Sequence, residues 1–231
     1  TASTLNANTT FNAGAAAIVV SSTIQGGAAE NNLVLINTGE GNDITISAVL
    51  GATTNLGDLT VTSGRNTLIS ANITTSGNQV YNSAVVYNGD ITLTGANVQF
   101  ASTVTKNATT DTLAIAVGNL NLDGAADVEA LTVAEEANFA ADVTAVTSIT
   151  VSDKTTIENN QSVTLTSGTG GISLEEVVGE TTGGNDETLI LTAGSDGSGT
   201  AIAVTGAVSD LANLTIAQSG GATFGGAVTL S

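Results

Sequence analysis

In the stretch Ile73–Gly95, ITTSGNQVYNSAVVYNGDITLTG, short apolar runs are broken every few residues by Ser-Gly, Tyr-Asn or Asn-Gly. Its apolar positions are Val80, Ala84, Val85, Val86, Ile91 and Leu93, with Tyr81 and Tyr87 beside them. Apolar–polar alternation, clearest in Ile91-Thr92-Leu93-Thr94, is the period of a half-buried strand, and the Asn/Gly pairs are turn chemistry. The same grammar runs the length of the chain. It predicts an all-β fold of many short strands and almost no helix.

Composition decides which all-β fold. The 231 residues contain no Pro, Cys, Met, Trp or His, and aromatics make up 3%. A wide core needs bulky rings to fill its middle. A core one or two side chains across is filled by Val, Ile, Leu and Ala alone, and solenoids have such cores. The reading is therefore a parallel β-helix (β-solenoid), with residues 1–231 as a single domain. A β-sandwich is the alternative, although sandwiches use longer strands and some buried aromatic.

Candidate strands fall at Leu33–Ile36, Ile44–Ile46, Leu59–Val61, Leu68–Ser70, Val85–Tyr87, Leu113–Val117, Leu131–Val133, Ile149–Val151, Val163–Leu165, Leu189–Leu191 and Leu214–Ile216, among others. Gln25–Asn32 reads as a turn region. Ala125–Ala145 has helix-forming residues, but Leu131-Thr132-Val133 repeats the Leu-Thr-Val of Leu59–Val61, so strand is expected there. Ala48–Gly64, AVLGATTNLGDLTVTSG, parallels Ala207–Gly220, AVSDLANLTIAQSG. Leu131 to Ile149 is a step of about 18 residues, the length of a short solenoid coil. In such a stack Val lies on Val inside, Thr on Thr outside and Asn at the corners, and Thr60/Thr62, Thr92/Thr94 and Thr164/Thr166 flank an inward Val or Leu.

These repeats, with GAVSDLANLTIAQSGGATFGGAVTL near the end, resemble those of large bacterial surface proteins, the filamentous-haemagglutinin-like adhesins and autotransporter passengers. The resemblance implies a secreted right-handed parallel β-helix that serves as adhesin, stalk or surface layer. The expected location is extracellular, at the cell surface.

Only Arg65, Lys106 and Lys154 are basic against 21 acids, a net charge of −18. Nucleic-acid binding needs cations against phosphate and is not expected. Docking on anionic lipid is disfavoured in the same way, and no apolar run is long enough to span a membrane. With neither Cys nor His, no Cys/His pair or Ser/His/Asp triad exists. The adjacent acids Glu135/Glu136 and Glu175/Glu176 would point to opposite faces of a strand, a poor arrangement for two cooperating carboxylates. No enzyme is expected.

Calcium is the one cofactor the sequence suggests. Thr38–Ile46, TGEGNDITI, approximates a calcium-binding β-roll repeat, with Glu40 and Asp43 as oxygen donors. GGNDETL at Gly183–Leu189 offers Asn185 and Asp186, and SDGSG at Ser195–Gly199 offers Asp196. Calcium takes such oxygen ligands from loops. Asn-x-Ser/Thr occurs at Asn8, Asn72, Asn107, Asn160 and Asn213, about as often as chance gives in a chain of this composition.

Thr10-Phe11-Asn12-Ala13 near the start and Thr223-Phe224-Gly225-Gly226 near the end suggest that the chain begins and ends in one phase of its repeat. A solenoid end exposes unpaired backbone and a slice of core, and no capping helix or charged plug is visible. The expected partners are copies of the chain itself, joined head to tail by strand addition into a filament, and host or neighbouring-cell surfaces. The alternative function is a segment of a large adhesin that mediates attachment.

Overall fold

The computed structural model describes residues 2–28, 30–181, 184, 186–194 and 201–231. Among them there is no helix, and the strands pair in parallel, so the chain is a β-solenoid. It divides into two compact units, Thr1–Gly118 and Asn119–Ser231.

In the first unit each coil contributes strands to three faces. Ser3–Leu5 pairs with Ile24–Gly26 on the first face, which continues through bridges at Leu50 to Ile73–Thr74. Thr9–Asn12, Leu33–Ile36, Leu59–Thr62, Gln79–Tyr81 and the end of Ile91–Phe100 stack on the second. Ile18–Val20, Ile44–Ile46, Asn66–Ile69, Ala84–Tyr87 and Val104–Lys106 form the third.

Alternation sends every second side chain inward, and parallel register puts like on like. Leu35, Val61, Tyr81 and Phe100 form one such column, each at most 1% exposed. Tyr81 and Phe100 stack at 5.2 Å between ring centroids. Within Ile73–Gly95, Tyr81, Val85 and Tyr87 point inward with Ile73, Ile91 and Leu93, while Val80 and Val86 take the outward positions. Val61, Leu93 and Leu165, each flanked by two threonines, are fully buried as alternation requires.

Corners are built from side chains that imitate the backbone ladder. At the entry to the second face, Asn8 Oδ1 accepts the Asn32 N–H at 3.0 Å and Asn32 Oδ1 accepts the Asp58 N–H at 2.8 Å. Asp58 Oδ1 accepts the Asn78 N–H at 2.8 Å, and Asn97 Nδ2 donates to Asn78 Oδ1 at 2.8 Å. The steps along this ladder are 24, 26, 20 and 19 residues, so loops of unequal length are absorbed between constant rungs.

The second unit repeats the plan with steps of 17 and 18 residues at Asn119–Glu136 and Glu136–Lys154. Its first face stacks Leu131–Val133, then the starts of Ser148–Ile157 and Gly171–Gly179, then Ala201–Val204 and Gly221–Phe224. Its second stacks Ala137–Phe139, the ends of the same two long strands, Val208–Leu211 and Val228–Leu230. Its third stacks Ala126–Val128, Val143–Ala145, Ser162–Ser167, Thr188–Ala193 and Asn213–Gln218. Ala125–Ala145 is therefore strand and turn, and Leu131 sits directly on Ile149 as the step of about 18 residues requires.

One local expectation differs. Gln25–Asn32 is not wholly turn, because Ile24–Gly26 is a first-face strand. Of the two long repeats, Leu59-Thr60-Val61 lies on the second face of its unit and Leu214-Thr215-Ile216 on the third face of its own. An inward Leu flanked by threonines serves any face equally, so the motif carries no face label.

Candidate functional sites at the coil ends and acidic turns

Phe11 continues the inward column of Leu35 and Val61, yet it is 46% exposed where they are at 0%. Nothing among the described residues lies over it. Together with Ile18, Val20, Ile24 and Leu35 it lines an open groove of about 430 Å³. Thr9–Asn12 and Ile18–Val20 are each paired along one edge only. The second unit has the matching feature. Val228 sits on Val208 and Leu230 on Leu211, but they are 45% and 47% exposed against 1% and 0% for the residues they cover. Gly221–Phe224 and Asn213–Gln218 likewise have one strand neighbour each. These are core positions without a lid, edged by unpaired backbone donors and acceptors.

The acidic turns are arranged differently. Asp43 is half-buried, and both its oxygens are engaged: Oδ1 accepts the Asn66 N–H at 3.1 Å and Oδ2 lies 3.5 Å from the Arg65 guanidinium. It clasps one coil to the next. Glu40 is exposed beside Gly41, whose φ of 88° makes the turn. Asp186 is exposed, and Asn185 and Asp196 lie outside the described residues. Among the described residues no three acidic side chains converge as a metal-binding group. Glu187, next to Asp186, was not singled out by motif. It is fully buried, and neither of its carboxylate oxygens has a hydrogen-bond partner. Counting back by twos from Leu191 and Leu189 places it inward, a signal the acidic loop around it conceals.

Other acids form a column at the exit of the second face in the same unit. Burial pushes the Glu158 carboxyl above its ordinary value, and the charges of Asp123 and Glu180 push it further the same way. Glu180 Oε2 accepts the Asn159 N–H at 3.2 Å. Of the paired acids, Glu136 is held 3.1 Å from Lys154 Nζ, while Glu135 and Glu175 are exposed. Four of the Asn-x-Ser/Thr asparagines use their side chains between coils: Asn8 to Asn32, Asn72 to Thr92, Asn107 to Asn88 and Asn213 to Thr188.

Comparison with family models, curated proteins and solved structures gives no match. The functional reading is therefore built on the chain's own geometry.

Proposed function

We propose that this chain is an extracellular structural protein of the cell surface whose copies continue one another's coils, head to tail, in a filament. The observation that carries the reading is the exposure of Phe11, Val228 and Leu230, inward-facing residues in columns that are elsewhere sealed. The strands left with a free edge at Phe11 differ from those at Val228, so a joint between them pairs unlike surfaces. Such a heterologous contact does not close on itself and propagates. Strand addition satisfies the edge backbone and covers the core slice in one step. The net charge of −18 keeps the long outer faces apart while ends meet.

Deleting Ala222–Ser231 tests this. The full chain is expected to form fibres visible by electron microscopy and to scatter light more steeply than in proportion to concentration, and the truncated chain to lose both. Fibres unchanged by the deletion would rule out the joint, and a full chain that stays monomeric at high concentration would rule out the filament. That last outcome favours the second reading, a segment of a surface adhesin in which covalently attached coils cover the same edges. Cell-binding assays with the isolated chain then test attachment.

A further inference from the structure

We propose that the Asn119–Ser231 unit holds a calcium ion at the corner around Gly179, with Glu187 as its anionic ligand. The proposal is independent of filament formation.

The register commits Glu187 to the interior. The Thr188 N–H donates to the Gln161 carbonyl at 2.9 Å, and the Ala212 N–H donates to the Glu187 carbonyl at 2.9 Å, so backbone bonds fix this position from both neighbouring coils. The side chain therefore cannot swing out to water without breaking the stack. It ends fully buried, with Oε1 and Oε2 both lacking a donor. A carboxylate in that state is strongly disfavoured unless a positive charge meets it. Among the described residues no basic side chain is bonded to it.

Two departures from the regular coil meet at the same place. The inward column runs Leu122, Phe139, Ile157 and then Gly179, a glycine where its neighbours are large. A Cβ on Gly179 would stand 3.0 Å from Glu187 Oε2 and would collide with the Asp210 carbonyl oxygen. Asp210 is itself irregular. It has a φ of 59° and lies within a register shift between Val208 and Leu211. A bulge thus brings a carbonyl oxygen to the place a side chain would take, beside a carboxylate without a partner. Two acceptors brought this close are reconciled by a cation lying between them.

All the ligands are oxygens, which selects a hard cation, and calcium tolerates irregular shells completed by carbonyls and water. One carboxylate with neutral oxygens places the affinity in the weak class, with Kd on the order of 10⁻⁴–10⁻³ M. The ligand inferred here is the buried Glu187, not the exposed Asp186 beside it.

The test uses the full chain with CaCl2 as the probe, in thermal unfolding and isothermal titration calorimetry, and compares wild type, Glu187→Gln and Asp186→Asn. Against EGTA, 5 mM calcium is expected to raise the wild-type Tm by about 3–6 °C. Asp186→Asn should keep that rise, and Glu187→Gln should lose it together with one binding equivalent. The proposal is overturned by a wild-type Tm that ignores calcium or by a response that survives Glu187→Gln. If Glu187→Gln does not fold, carbon-13 NMR of the wild-type Glu187 carboxyl decides: a shift that saturates with calcium supports the site, and an unmoved resonance refutes it.

Discussion

Tyr81 shows how a narrow core accommodates a polar atom. Its hydroxyl donates to Gln79 Oε1 at 2.8 Å, and Gln79 Nε2 donates in turn to the Thr94 carbonyl at 2.9 Å. Burial pushes the phenol far above its ordinary value, so it stays a donor wherever the protein is folded. Tyr81→Phe keeps the ring stack on Phe100 but strips Gln79 Oε1 of its donor. The expected loss is about 1–3 kcal/mol, read from urea unfolding. Glu158 illustrates the opposite case, a charge that the fold resists. Its carboxyl is raised by burial and then by Asp123 and Glu180, so the folded state holds the proton more tightly than the unfolded chain does. Stability therefore falls as pH rises through the window just above the ordinary carboxylate value. Glu158→Gln should raise Tm near pH 7, and the gain should vanish below about pH 4, where the acid is protonated in both states. Equal gains at both pH values would show that charge is not the cause.

At the scale of the element, corners hold the register as firmly as strands do. Asp58 accepts the Asn78 N–H through Oδ1 and Asn32 Nδ2 through Oδ2, at 2.8 and 3.1 Å. Asp58→Ala removes both rungs and should cost about 1–3 kcal/mol. Amide exchange should quicken at Asn78 while the Val104–Lys106 strand keeps its protection, and uniform loosening would argue against a local clasp. Gly51 marks a second sensitive point. With φ of 72° and the Thr74 carbonyl oxygen where a side chain would go, Gly51→Ala should cost at least about 1–2 kcal/mol. Much of this was legible in advance. Alternation located Leu33–Ile36, Leu131–Val133 and most other strands, because inward and outward positions differ chemically at every step. The face to which a strand belongs was not legible, since Leu-Thr-Val suits any of them. Val208–Leu211 was hidden by Ser209 and Asp210, polar residues that read as turn but sit in a bulged strand. Glu187 was hidden by its company, an acid in a run of acids whose neighbour points to solvent.

For the whole molecule, the exposed core positions make a direct claim on association. Phe11→Asp places a charge in the groove that another coil would cover, at the exposed end of the column above Leu35. Sedimentation should show assembly reduced at least tenfold, with the circular dichroism of the monomer unchanged, whereas unaltered assembly would move the joint elsewhere. The ladders described above also carry a consequence for how the chain comes to exist at all. Partners between successive coils are never far apart in sequence: 17 residues separate Asn119 from Glu136, and 31 separate Val177 from Val208. Each coil is thus completed against the coil just finished, and none waits for a distant segment to arrive. Loop closure is charged in small, repeated instalments. Order can then spread along the chain in the sequence in which residues become available, each finished turn acting as template for the next.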